Sequence, residues 1–159
     1  MTKTTTILIL FFNFIVSTHS SNGQNLTNQQ KIELERQVDS VFHSMILDAE
    51  NLEYDILSKG VDDNQHAGFI TNGTYFASYD SLVCVLKTKS QGIAKQNITI
   101  QTERTTALNP SIVLLSACGE SSAETYNGDR FIMKFFWTFV YEKINNQWKV
   151  IQSHQSGNR

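Results

Sequence analysis

The run "RFIMKFFWTFVYEKI" restricts the fold more than any other part of the chain. Its apolar residues alternate with a period of two, which is the period of a β-strand and not of a helix. One face carries Phe131, Met133, Phe135, Trp137, Phe139 and Tyr141, and the other carries Arg130, Ile132, Lys134, Phe136, Thr138, Val140 and Glu142. Six large aromatic or thioether groups on one face exceed what a thin layer needs. Such a face predicts a deep, curved sheet closing over helices as a cone. The opposite face is half apolar, and exposed apolar sheet surface commonly marks a partner. A homodimer through this outer sheet face is therefore expected.

The rest of the chain supplies the other layers. "TNQQ" at Thr27 to Gln30 has the form of a capping box. After it, Leu34, Val38, Val41, Phe42, Met45, Ala49, Leu52 and Ile56 fall at steps of three and four, one stripe of a helix. The stripe is long for one helix, so a break near "DAEN" and an end at Gly60 are expected. Asn72-Gly73 between Phe69-Ile70 and Tyr75-Phe76 reads as a tight hairpin. "SYDSLVCVLKTKS" returns to helical spacing through Leu82, Val85 and Leu86, with Ser78 or Asp80 as its cap. "KQNITIQTER" alternates, placing Gln96, Ile98, Ile100, Thr102 and Arg104 on one face. "SIVLLSACGES" is nearly continuous in apolar residues and suits a strand covered on both sides. Asn145-Asn146 makes the last turn, after which Trp148, Val150, Gln152 and His154 share a face by the period of two. Helices segregated from an antiparallel meander define an α+β domain.

Composition narrows the class. At 159 residues with 40% hydrophobic and 18% charged content, the chain suits one globular domain. A formal charge of −2 with no basic run argues against a nucleic-acid surface. "MTK" followed by the apolar stretch Ile7 to Val16 and small residues reads as a secretory signal peptide. The stretch is too short to span a bilayer, which needs ~20 residues, so no stable membrane insertion is expected. Residues 1–23 are read as the leader, with cleavage after Ser20 or Gly23, and 24–159 as the domain. The expected location is secreted or periplasmic. Cys84 and Cys118 could pair or stay as free thiols, and no Cys/His cluster calls for a metal or cofactor. The sequons at Asn25, Asn72 and Asn97 are about what an Asn-, Ser- and Thr-rich chain gives by chance.

This order of elements, with Trp148, His154, Ser156 and Gly157 spaced W-x5-H-x-S-G, resembles the NTF2-like superfamily, particularly its SnoaL-like branches. The tail is also similar to the end of the association domain of calcium/calmodulin-dependent protein kinases. No Gly-rich loop or catalytic-loop signature points to a kinase itself. The resemblance implies a curved sheet wrapped around helices with an apolar pocket inside. Relatives of this shape include isomerases, cyclases and dehydratases, and others that only bind or assemble, so the resemblance does not choose an activity.

Candidate site residues follow from facing and chemistry. His154, on the face of Trp148 and Val150, could serve as acid, base or donor, or be a structural histidine bonded to a backbone carbonyl or a carboxylate. Trp137, Tyr141 and Trp148 could line the pocket or be plain core. Arg104 could clamp an anion or sit at a solvated edge. Tyr54 and Asp55, late in the helical region, fall about where acid–base residues occur in catalytic relatives, so the resemblance implies them as candidates for an acid–base partner, although Asp55 falls outside the apolar stripe. Two functions therefore stay open: a small-molecule-binding or assembly domain, and an isomerase- or dehydratase-like enzyme using His154 with Asp55 or Tyr54.

Overall fold

The computed structural model describes residues 26–158; the leader expected from the sequence lies outside the described residues. Helix α1 (Asn28–Glu50) opens with the capping box: Gln30 N–H donates to Thr27 Oγ1 at 3.3 Å, and Thr27 N–H donates to Gln30 Oε1 at 2.9 Å. It buries Val38, Phe42 and Ile46. The helix ends at Asn51, and Leu52 adopts a positive φ of 60°. A short helix α2 (Tyr54–Leu57) then starts in a new register that buries Tyr54 and Leu57 and turns Ile56 out to solvent. The single stripe read from the sequence is thus cut in two, because the break resets which residues face inward.

Strands β1 (Phe69–Thr71) and β2 (Thr74–Phe76) form the expected hairpin. Asn72 has a φ of 47° and Gly73 a φ of 78°, the left-handed pair that a two-residue primed turn requires. Helix α3 (Tyr79–Ser90) is capped by Ser78, whose Oγ accepts from Ser81 N–H at 3.3 Å, as a serine N-cap does. Four long strands follow: β3 (Ile93–Asn109), β4 (Ile112–Thr125), β5 (Arg130–Ile144) and β6 (Gln147–Asn158). The six-stranded sheet has the order β2-β1-β6-β5-β4-β3, and only β1 and β6 run parallel. The architecture is α+β, with the three helices on the concave face of one twisted sheet.

Strand β5 alternates as its sequence predicts. Phe135, Phe139 and Tyr141 are buried, and Trp137 stacks on Phe135 with ring centroids 3.9 Å apart. Phe42 of α1 meets Phe139 at 5.8 Å, so the helix stripe and the aromatic face form one core. Each such buried side chain contributes roughly 1.5–3 kcal/mol of burial free energy. Gly119 of β4 is required by close approach. A Cβ there would stand 2.0 Å from Thr99 O and 2.9 Å from the Phe135 ring. Strand β4 is not covered on both sides: Val113, Leu115 and Ala117 are buried, whereas Leu114 and Cys118 are only half-buried on the outer face. Both cysteines are free, and Cys84 is exposed.

Strands β3 and β6 break the period of two. Between Ile100 and Thr102 the pairing with β4 skips Gln101, and between Val150 and Gln152 the pairing with β5 skips Ile151. Each skipped residue is a β-bulge, which bends the strand and exchanges its two faces beyond that point. Strand β3 is also a sheet edge, and α1 covers it. Glu50 Oε1 accepts from Ile98 N–H at 2.6 Å and Glu35 Oε1 from Ala107 N–H at 3.0 Å. Two backbone donors that would otherwise invite a foreign strand are thereby satisfied. Among the described residues no helix is long and apolar enough to cross a membrane.

Candidate functional site

A cavity of about 440 Å³ lies between the helices and the concave face of the sheet. This is within the range of small-molecule sites, ~300–1,000 Å³. Its apolar wall comes from Phe42, Met45 and Ile46 of α1, Leu57 of α2, Val85 and Leu86 of α3, and Phe131, Met133, Trp137 and Phe139 of β5. The polar groups are Tyr54, Thr71, Asn72, Tyr79, Lys89, Ser90, Gln96, Ser121, Gln155 and Ser156. Asn72, Lys89 and Phe131 are exposed and mark the open side.

Several of these polar groups are already fixed by neighbours. Asn72 Oδ1 accepts from Gly157 N–H at 2.8 Å, tying the β1–β2 turn to the end of β6. Gln96 Nε2 donates to Ala49 O at 3.4 Å, and Gln155 Nε2 donates to Ser153 Oγ at 3.3 Å. Burial pushes the Tyr54 hydroxyl pKa up, and the nearby Ser90 hydroxyl opposes that shift. Tyr79 is raised further, by burial first and by the nearby Asp63 carboxylate second. Both phenols therefore stay protonated at neutral pH and act as hydrogen-bond donors.

The residues singled out from sequence are distributed unevenly around this cavity. Tyr54 and Trp137 are in its wall. Tyr141 is fully buried behind it, its hydroxyl 3.8 Å from Met45 Sδ. Trp148 is buried elsewhere, its indole Nε1 donating to Gln37 Oε1 at 3.0 Å and Lys143 Nζ lying 5.5 Å from the ring centroid. Asp55 is exposed and forms an ion pair with Lys87. His154 does not face the cavity. It is exposed on the outer face, paired in register with Thr138, because the bulge at Ile151 turns Ser153 and Gln155 inward instead. Arg104 is exposed on the outer face for the same reason, since the bulge at Gln101 turns Glu103 and Thr105 inward. His154 and Tyr54 thus stand on opposite sides of the sheet and cannot share a bound molecule.

The turned-in Glu103 joins a second polar group, between α1 and β3. His43 Nε2 lies 3.2 Å from Glu103 Oε2, Asp39 hydrogen-bonds with Glu103, and Thr105 Oγ1 donates to Asp39 Oδ1. Burial raises the Glu103 pKa; His43 opposes that shift and Asp39 adds to it. None of these residues is in the cavity wall described above.

No family model matches the chain, and no curated protein does. Solved structures do. A protein from Novosphingobium aromaticivorans, provisionally assigned as a scytalone dehydratase, superimposes with a TM-score of 0.74 at 7% identity, over 84% of this chain and 89% of its own. The chain has the NTF2-like fold. An NTF2-like superfamily protein from Salmonella enterica aligns at a TM-score of 0.67 and 13% identity, over 84% of this chain and 94% of that one. A provisionally assigned association domain of calcium/calmodulin-dependent protein kinase II from Xanthomonas campestris gives 0.67 at 16% identity, over 77% of this chain and 86% of that one. At these identities the likeness establishes the fold and leaves the activity to the site.

Proposed function

We propose that this chain is an exported, non-catalytic domain that holds a small apolar molecule in its cavity. One observation carries the reading: among the described residues lining the cavity there is no Asp, Glu or His. An NTF2-like dehydratase or isomerase needs a base within hydrogen-bond reach of its substrate. The wall here offers hydroxyls, amides, two buried tyrosines and, at the open rim, the exposed Lys89 ammonium, which suit orientation of a ligand rather than proton abstraction. Export is supported by the apolar run Ile7 to Val16 with the small residues after it. N-terminal sequencing of the exported protein checks it, with a mature start at Ser21 or Gln24 expected.

Assembly as a homodimer through the outer sheet face has its own support. Ile132 is 63% and Phe136 55% exposed on the face that carries half-buried Leu114, Cys118 and Val140. Native mass spectrometry of the purified protein tests binding and pairing together. The expected result is a dimer whose subunits carry a non-covalent mass that is lost on denaturation. Bare subunits whose melting temperature no apolar compound raises would overturn the binding reading, and a monomer at micromolar concentration would overturn the pairing.

A further inference from the structure

The charge on the cavity wall constrains the ligand further. Lys89 is the only formally charged side chain among the described residues that line it. Its neighbour in the last turn of α3, Lys87, is neutralised by Asp55, whereas Lys89 has no acidic partner among the described residues. The helix end beside it is also quieter than a bare C-terminus. Thr88 Oγ1 donates to Cys84 O at 2.9 Å, Ser90 Oγ to Lys87 O at 3.0 Å, and Gln91 N–H to Thr88 O at 3.3 Å. Two of the four terminal carbonyls, those of Lys87 and Thr88, are therefore already occupied, which lessens their repulsion of a negative group.

We propose that the ligand is an amphipathic carboxylate, its anionic head at Lys89 on the open side and its apolar body lying along Met133, Trp137 and Phe139. This rests on the binding reading above. A cationic ligand would meet Lys89 with no counter-ion on the wall, and a neutral one would gain nothing from it. Apolar contact supplies most of the affinity, and the partly solvated ion pair selects the head group, by roughly two- to fivefold.

Trp137 provides the measurement, because it stands in the wall whereas Trp148 is packed against Gln37. Tryptophan emission of the full chain is titrated with dodecanoate, dodecanol and dodecyltrimethylammonium, each below its micelle concentration. The expected order of affinity is dodecanoate, then dodecanol, with the cation weakest. In Lys89→Met, dodecanoate should fall to the level of dodecanol, and in the wild type added salt should weaken dodecanoate alone. Arg104→Met, which removes a cation from the outer face, should leave all three affinities unchanged. Trp137→Phe should abolish the emission response. Equal affinity for dodecanoate and dodecanol in the wild type, or an undiminished preference in Lys89→Met, overturns the head-group assignment while the binding reading stands. No emission change and no gain in melting temperature with any of the three probes overturns the binding reading itself.

Discussion

Strand β5 runs through two regions built on different terms. At its C-terminal half Tyr141 is fully buried, flanked by Val113 and Val150, which are also inaccessible. At its N-terminal half Phe131 is 44% exposed and Trp137 only half-buried, yet both line the cavity. The side chains are equally apolar in both halves. What differs is what lies opposite. Helix α1 buries Val38 over the closed half and sets Phe42 against Phe139 where the cavity begins, whereas over the open half the helices stand back and leave a void. Apolar surface at the closed end therefore works for stability, and at the open end it is held available for a ligand.

That contrast can be broken by substitutions at each end. Tyr141→Ala should cost the most, ~3–5 kcal/mol in chemical denaturation, because the closed end has no room to collapse onto the hole. Gly119→Ala should cost about 1–3 kcal/mol, since its methyl group meets the Thr99 carbonyl and one of them has to move. Phe131→Ala at the open rim should cost less than ~1 kcal/mol while weakening ligand binding. A loss at Phe131 matching that at Tyr141 would mean that the two ends are packed alike.

The smallest expected effect is a dependence on pH near the closed end. The folded-state pKa of Glu103 is raised by burial. A carboxyl raised in this way favours the folded state below its unfolded pKa of ~4.3 and loses that contribution as pH climbs through the folded value. Glu103→Gln removes the titration. The variant should thus gain stability relative to wild type as pH rises from ~4 toward neutrality. A constant difference between the two proteins over that range, or one of opposite sign, would contradict the placement of Glu103.

How far the sequence can be read depends on where the backbone keeps its period. On β5 every pairing with β4 is regular, and Phe135, Phe139 and Tyr141 are buried on the face that the alternation predicts while Phe136 is exposed on the other. On β6 the same rule places Trp148 and Val150 correctly and then fails at Ile151. On β3 it holds for Ile98 and Ile100 and fails at Gln101. Neither Ile151 nor Gln101 is a glycine or proline, so no local signal marks the extra residue. His154 and Arg104, the imidazole and guanidinium candidates carried by the long strands, both lie beyond a bulge. The period of two therefore puts both on the wrong face, while Gln155 and Glu103 beside them turn inward. Lys89 escapes notice for another reason: in the last turn of a helix it looks like an ordinary dipole partner. Trp137 is legible because burial and cavity share one apolar face, whereas Tyr54 lies off the helix stripe and turns inward only because the break at Leu52 resets the register.

Amide chemical-shift mapping during a titration with dodecanoate tests the central claim most directly. Binding inside the bowl should move Gln96, Ser121 and Gln155 together and leave Ser116 and His154 where they were. Shifts confined to Ser116, Thr138 and His154 would place the ligand on the outer face and contradict the account.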